Sequence, residues 1–182
     1  KVCILGGGFI GRFYAESLCG RRGKDIVTVV YARKKETAIR FATDYQVAHY
    51  TTEMEEAIAH AETEFVVIAL PNYLHEEAVM LCVKHKKAVL CEKAFAINSR
   101  EVEQMITASK ENKTFLMEAF WVIFRPKYLK VQEIIASENL GKLKFVKSDF
   151  MFNGAYNPQN RLYNLDLGGG SLLDIGIYSI FT

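Results

Sequence analysis

A glycine-rich loop near the amino end has the spacing of a phosphate-binding turn. Its three glycines, in the pattern G-x-G-x-x-G, follow the apolar run Val2–Leu5 and open a helix-period segment, Ile10–Cys19. In such a loop the glycines permit a tight turn, a close approach of pyrophosphate to the backbone, and close packing of helix on strand, and the positive helix end faces the phosphates. A structural turn in some other α/β protein is the alternative. The loop residues predicted to bind a dinucleotide are Gly6, Gly8, Phe9, Ile10 and Gly11.

The residues after the second strand candidate, Ile26–Tyr31, bear on the choice of dinucleotide. A free ribose 2′-hydroxyl is usually held there by Asp or Glu, but this chain has Arg33 and Lys34 and no acid before Glu36. A guanidinium binds phosphate through its planar fork of donors, and a lysine adds point charge. The sequence therefore predicts NADP over NAD, with a solvated basic turn as the alternative.

Polar residues interrupt the chain directly after three further strand candidates. Pro71 and Asn72 follow the fourth strand, Glu92 and Lys93 the fifth, and Glu118 the sixth. The carboxyl ends of parallel strands form the ligand crevice of an open sheet. We therefore expect Lys93 to reach toward the cofactor; a surface lysine at the start of a loop is the alternative.

The last group of candidates lies near the carboxyl end. If the segment is helical, Asp174 and Tyr178 share a face. Ser171 and Asp174 also have the spacing of a capping box, which is compatible with a role in a site. Tyr178 is either a core tyrosine or an acid/base: a phenol has a pKa of about 10 in water, and a nearby Lys93 cation would lower that value enough for proton exchange with a substrate oxygen.

The histidines and cysteines do not suggest a metal site. The four histidines lack ligand spacing with the four cysteines, so no metal is predicted. His75, one turn past Asn72, is the only histidine expected near the crevice. The cysteines show no paired spacing, which favours reduced thiols in a cytoplasmic protein over a disulfide framework.

The order of elements predicts the fold class. Apolar strand candidates alternate with helix-period segments through the first two-thirds of the chain, which is typical of a doubly wound α/β fold with a parallel sheet covered on both faces. The strand candidates are Val2–Leu5, Ile26–Tyr31, Val47–His49, Phe65–Leu70, Ala88–Cys91 and Thr114–Met117. The helix candidates are Ile10–Cys19, Glu36–Asp44, Met54–Ala61, Leu74–His85 and Ser99–Asn112.

The alternation breaks near Trp121. We therefore expect a dinucleotide-binding domain over 1–120 and the beginning of a second, α/β open-sheet domain over 121–182. In the second part, Pro126 opens a predicted helix to about Ser137, and Leu143–Phe152 has the composition of a strand. An irregular stretch and a glycine run then precede a last helical segment.

Composition excludes several classes of protein. Of 182 residues, 50% are apolar and 24% charged, which is typical of a globular protein with a sizeable core. A net charge of +2 does not suggest binding to nucleic acid or a membrane surface. No apolar run has membrane-spanning length, and we expect no signal peptide. The chain begins inside a strand candidate and ends in an apolar segment, so we expect it to be part of a longer protein.

Five motifs spread over the whole chain carry a family resemblance: GGGFIG, PNYLH, CEKAF, MEAFW and RLYNLDLGGGSLLDIGIY. Together they resemble the Gfo/Idh/MocA oxidoreductases, in particular the branch of dimeric dihydrodiol dehydrogenases and xylose dehydrogenases. The resemblance implies that Lys93 is the catalytic lysine, that Tyr178 is the general acid/base, and that Asp174 supports the site. Beyond the loop and basic turn, it implies cofactor contacts for Leu70, Pro71, Asn72, His75, Glu92, Lys93 and Trp121.

The chain departs from this family at Ala94, where the Glu-Lys-Pro motif usually has proline, often with a cis peptide. A non-proline cis bond costs about 3 kcal/mol, so a trans or strained bond is expected after Lys93. The second departure is length, because most of the family's sheet domain would lie beyond Thr182.

The function expected from these residues is reversible hydride transfer between NADP(H) and a small sugar, polyol or cyclic diol. By the same resemblance, the protein would form a homodimer through its carboxy-terminal domain. Two alternatives stay open: a non-catalytic NADP-binding regulator, which the departure at Ala94 permits, and an assembly module that binds no nucleotide.

Overall fold

The computed structural model describes residues 1–19, 23–137 and 139–181. The chain divides into two compact units, Lys1–Glu118 and Ala119–Thr182.

The first unit is built on a six-stranded parallel sheet, which confirms the predicted fold class. The strands are β1 (Val2–Leu5), β2 (Val27–Tyr31), β3 (His49–Thr51), β4 (Phe65–Ile68), β5 (Ala88–Cys91) and β6 (Leu116–Glu118). Their order is β3-β2-β1-β4-β5-β6. The order reverses between β1 and β4, so the connections that follow these two strands lead to opposite faces of the sheet, and an open α/β sheet binds ligands at such a point.

Helices cover both faces of this sheet. They are α1 (Phe9–Cys19), α2 (Lys35–Tyr45), α3 (Met54–Ala59), α4 (His75–Lys84) and α5 (Ser99–Glu111). Because side chains alternate along a strand, Cys3 and Leu5 enter a core with Ile58 of α3 and residues of α4 and α5. Val2 and Ile4 enter a second core with side chains of α1 and α2. Every residue of β1 and β2 is buried, as expected for strands covered on both sides.

Two strands begin two residues later than predicted, and for the same reason. The predicted strand Val47–His49 is observed as His49–Thr51, because the Val47 N–H donates to the carbonyl of Ala42 at the end of α2. The predicted strand Thr114–Met117 is observed as Leu116–Glu118, because the Thr114 N–H donates to Ser109 at the end of α5. A backbone donor that closes a helix cannot also pair with a neighbouring strand.

The second unit contains α6 (Pro126–Ala136), a π-helical turn (Leu172–Gly176) and α7 (Ile177–Phe181). Proline occupies the first turn of α6, as predicted. The predicted strand Leu143–Phe152 is wrong: these residues form no strand in the structure. A strand needs a neighbour for its backbone hydrogen bonds, and the described residues of this unit contain no other strand. Within the described part of the chain, no helix has the length and apolar character needed to cross a membrane.

Candidate functional site

The glycine loop joins β1 to α1 at the carboxyl edge of the sheet. Gly6 has a φ of +120°, and a Cβ there would lie 2.4 Å from the carbonyl oxygen of Ala69. A Cβ on Gly11 would lie 1.8 Å from the carbonyl oxygen of Gly6. Neither position has room for a side chain, so the tight turn and the close packing of α1 both require glycine.

The open side of this loop fits a pyrophosphate. A Cβ added at Gly8 would meet no atom within 4 Å, so the backbone there can be approached closely. Phe9 is 83% exposed and Ile10 is exposed beside it. The first turn of α1 contains no acidic residue, so nothing in that turn neutralises the positive helix end that would face phosphate.

The two basic residues lie after β2, in the connection to α2. Tyr31 and Ala32 are buried, whereas Arg33 and Lys34 are exposed. The Lys34 carbonyl accepts the N–H groups of Thr37 and Ala38 in the first turn of α2. This main-chain anchor holds two cationic side chains at the carboxyl end of β2.

The segment after β4 is organised around a buried histidine. Leu70, Pro71 and Asn72 are partly exposed, and Asn72 begins a short 3₁₀ turn that runs into α4. His75, the first residue of α4, has no exposed surface. Its Nε2 lies 2.9 Å from the carbonyl oxygen of Leu70.

The other ring nitrogen of His75 faces the turn that follows Lys93. Nδ1 lies 2.9 Å from the carbonyl oxygen of Ala94 and 3.3 Å from that of Phe95. Burial lowers the pKa of His75, and the hydrogen bonds to these carbonyls and to Leu70 act in the opposite direction. The fully buried ring lies between the two loops, and the contact of His75 with a cofactor stays a prediction.

The turn that carries Lys93 follows β5. The Glu92 N–H donates to the carbonyl of Ile68, which extends the pairing with β4 by one residue. The Glu92 carboxylate accepts the Tyr14 hydroxyl at 2.8 Å and the Lys93 N–H at 3.2 Å. Lys93 is half-buried. The Lys93–Ala94 peptide bond is cis, so the expectation of a trans bond is wrong.

Glu118, the last residue of β6, lies at the same edge as this turn. Burial raises the pKa of its carboxyl group, and the charge of Glu92 acts in the same direction. A hydrogen bond from the Phe95 backbone and the charge of Lys93 oppose that shift. The carboxyl edge of the first unit therefore brings together the glycine loop, the residues after β4, and a lysine set among carboxylates.

In the second unit, Tyr178 lies among aromatic side chains. The indole Nε1 of Trp121 donates to its phenol oxygen at 3.2 Å. The rings of Phe120 and Phe150 each have their centroids 5.3 Å from that of Tyr178. Tyr178 is half-buried in α7, so its ring is packed while part of its surface stays accessible.

Asp174 lies in the π-helical turn before α7. One of its carboxylate oxygens lies 3.3 Å from a guanidinium nitrogen of Arg161. The predicted capping box is wrong, because Ser171 has a helical backbone (φ −62°, ψ −28°) and makes no side-chain cap. An N-cap residue must instead have an extended backbone.

Two polar side chains that hydrogen-bond to predicted site residues in the described part of the chain were not themselves predicted, Tyr14 and Arg161. Each acts on a partner distant in sequence, Glu92 and Asp174 respectively. Tyr14 is one of nine tyrosines, and no spacing to a motif distinguishes it. Arg161 falls within the longest motif, but only the tertiary structure shows which carboxylate it meets.

Comparisons with known proteins agree with this geometry. A model described as "Oxidoreductase family, NAD-binding Rossmann fold" (GFO_IDH_MocA) matches residues 1–120, and one for the GFO/IDH/MocA C-terminal domain matches residues 128–182. The scyllo-inositol 2-dehydrogenase (NADP(+)) IolU of Bacillus subtilis is 33% identical over all of this chain and 56% of its own length. The trans-1,2-dihydrobenzene-1,2-diol dehydrogenase of Danio rerio is 36% identical over 85% of this chain and 46% of its own length.

A solved structure extends the likeness to the fold of the chain. The NAD binding oxidoreductase from Klebsiella pneumoniae superposes with a TM-score of 0.80 at 23% identity, over 98% of this chain and 50% of that one. At this identity the likeness shows the fold alone. The chain spans about half the length of the curated relatives it matches.

Proposed function

The chain belongs to the GFO/IDH/MocA oxidoreductase family, and from this we propose that it transfers a hydride reversibly between NADP(H) and a CH–OH group of a small substrate. The observation that supports this most strongly is the edge of the parallel sheet. The glycine loop after β1 and Lys93 after β5 both lie at the carboxyl ends of their strands. That is where an open α/β sheet binds ligands.

The choice of NADP rests on the basic turn after β2. Arg33 and Lys34 are exposed where an acid would favour NAD. The relative from Bacillus subtilis carries NADP(+) in its name, which supports the same choice. The residues proposed to hold the cofactor are Gly6, Gly8, Phe9, Ile10, Gly11, Arg33, Lys34, Leu70, Pro71, Asn72, His75, Glu92, Lys93 and Trp121.

The proposed reaction consists of one hydride transfer and one proton transfer. The nicotinamide, when bound, supplies or accepts the hydride at C4. Tyr178 gives its phenol proton to the carbonyl oxygen during reduction and takes it back during oxidation. The Lys93 ammonium orients the substrate oxygen and stabilises the charge that develops on it. Asp174, paired with Arg161, supports the site.

The proposed substrates are cyclic polyols, sugars or diols. Two relatives are named for scyllo-inositol and for a dihydrobenzene diol, both of which are rings with neighbouring hydroxyl groups. We also propose a homodimer formed through the second unit and a location in the cytoplasm. The four cysteines are free thiols, and three of them are buried, which suits a reducing compartment.

Turnover by Tyr178→Phe in the full-length protein tests the proposal. Wild-type protein is assayed with NADP⁺ against inositols, xylose and a trans-dihydrobenzene diol. The variant should lose roughly 10²–10⁴-fold in kcat, the usual contribution of a general acid/base, and should bind NADPH as before. Tyr128→Phe removes a hydroxyl that donates to the Phe181 carbonyl in the same unit and is the matched control.

The two alternatives give different results in the same assay. A wild-type protein that binds NADPH but turns over none of these substrates is the non-catalytic regulator. A protein that binds neither NADPH nor NADH is an assembly module. Either result contradicts the proposed reaction.

A further inference from the structure

A hydrogen bond joins helix α1 to the turn that carries Lys93. The hydroxyl of Tyr14 donates to Oε1 of Glu92 at 2.8 Å, across 78 positions of sequence. Tyr14 lies on α1, three residues past Gly11, and its ring packs against the core between α1, α2 and the sheet. Because that core fixes the ring, the position of the hydroxyl is fixed as well.

Glu92 also makes a hydrogen bond with the next residue in the chain, Lys93. Its second carboxylate oxygen, Oε2, accepts the backbone N–H of Lys93 at 3.2 Å. Both oxygens are therefore engaged, one by a helix and the other by the main chain of Lys93. Hydrogen bonds to a carboxylate are about twice as strong as those between neutral groups, and this carboxylate is only half-buried. A hydroxyl donor on one oxygen restricts the rotation of the whole group.

The far side of the same turn is held by a different helix. His75 of α4 contacts the carbonyl oxygens of Ala94 and Phe95. Residues on both sides of Lys93 are thus attached to helices, through Glu92 to α1 and through these two carbonyls to α4.

We propose that Tyr14 is a positioning residue for Lys93, acting through the Glu92 carboxylate. This inference rests on the proposed function of Lys93 and adds a side chain that the function did not include. Helix α1 begins at the glycine loop, so the same rigid element carries the pyrophosphate site at one end and the anchor of Lys93 one turn further on. Placing Lys93 by α1 fixes the lysine relative to the phosphates of the cofactor.

Tyr14→Phe in the full-length protein removes the hydroxyl and keeps the ring. We expect kcat to fall about tenfold, since a displaced catalytic group costs 10²-fold or less. The Kd of NADPH should rise much less than kcat falls, because most of the proposed cofactor contacts lie outside this turn. Tyr45→Phe is the matched control, because the Tyr45 ring packs against the same core and its hydroxyl donates to Glu16 at 3.0 Å. An equal loss in the control would mean that any hydroxyl on this core has the same effect, which overturns the proposal.

A double-mutant cycle shows whether Tyr14 acts through Glu92. Glu92→Ala removes the carboxylate that accepts the Tyr14 hydroxyl. In that background, Tyr14→Phe should therefore have no further effect on kcat. The same fractional loss in both backgrounds would overturn the proposal. A kcat of Tyr14→Phe equal to that of the wild type would also do so.

Hydrogen exchange at the Lys93 amide gives a readout that does not depend on turnover. That amide donates to Glu92, so it should exchange about tenfold faster in Tyr14→Phe than in Tyr45→Phe or the wild type. Unchanged exchange overturns the positioning role. Faster exchange in a protein without turnover supports the positioning role and separates it from a failure of the proposed function.

Discussion

Trp121 donates a hydrogen bond from its indole Nε1 to the phenol oxygen of Tyr178, at 3.2 Å. An indole N–H can only donate, so the phenol oxygen is the acceptor in this pair. The contact fixes the direction of the phenol group within the aromatic cluster of Phe120 and Phe150. The family resemblance implied a cofactor contact for Trp121, and the structure adds a partner that it did not imply.

Trp121→Phe should therefore slow the proton transfer proposed for Tyr178. A donor on the phenol oxygen favours the phenolate, the form that takes up the proton during oxidation. Its loss should therefore move the pH–rate profile of the oxidation to higher pH and lower kcat of the oxidation at pH 7 by about tenfold. Steady-state kinetics from pH 5 to 10 measure both effects. Phe150→Leu perturbs the same cluster without removing the donor and should leave the profile in place. An unchanged profile for Trp121→Phe would show that the contact does not affect the phenol.

His75→Leu should destabilise the first unit. The change removes a buried ring whose nitrogens lie within hydrogen-bond distance of three backbone carbonyls, those of Leu70, Ala94 and Phe95, and the ring N–H donates to one side of this group. A buried polar group without a partner costs about 1–3 kcal/mol, so the urea midpoint should fall clearly. His85→Leu is the control: His85 pairs with exposed Glu55, and solvent screens a surface pair so that it contributes little to stability. Equal midpoints for the two variants would contradict the role of His75.

Glu118→Gln should change how stability depends on pH. Burial raises the pKa of Glu118 above its usual 4.5, so between that value and the raised one the folded protein binds more protons than the unfolded chain. Wild-type stability therefore falls as pH rises through this window. Glutamine has no such titration, so the variant should gain stability relative to the wild type as pH rises from 4 to 7. Urea unfolding at several pH values measures this, with exposed Glu103→Gln as the control. If the stability difference between Glu118→Gln and the wild type did not change with pH, titration of the buried carboxylate would be excluded as its source.

Arg33→Ala should weaken NADPH binding far more than NADH binding. A hydrogen bond to a charged group contributes about 1.5–3 kcal/mol, which corresponds to roughly 10–100-fold in Kd. Titrations of both cofactors into the variant and the wild type give the comparison. Arg40→Ala removes a charge from an exposed position on α2 and should alter neither affinity. Equal wild-type affinities for NADPH and NADH would show that the basic turn does not select the phosphate.

The sheet of the first unit could be predicted because its strands are continuous apolar runs between helical segments. The errors at β3 and β6 arose where Val47 and Thr114 use their N–H groups to close helices, a choice that composition does not reveal. The strand expected at Leu143–Phe152 has the right side chains, but pairing depends on a neighbour, which a local pattern does not show.

In the candidate site, too, some residues could be placed from the sequence and some contacts could not. Lys93 and the glycine loop could be placed from sequence because each follows directly after a strand, and all parallel strands end at one edge. The contact of Tyr14 with Glu92 could not, because it joins residues 78 positions apart. His75 was placed near the right loops, but its burial and its backbone partners depend on how α4 packs against the turn after β5.

Transfer of deuterium tests the central claim, hydride transfer by this protein, most directly. The full-length protein is incubated with NADP⁺ and cyclic polyols, sugars or diols deuterated at their carbinol carbons, and the reduced cofactor is examined by NMR and mass spectrometry. The proposed reaction predicts one deuterium at C4 of the nicotinamide, on one face of the ring, and its formation should be slowed strongly by Tyr178→Phe. A wild-type protein that binds NADP⁺ and acquires no deuterium at C4 from any of these substrates would contradict the account.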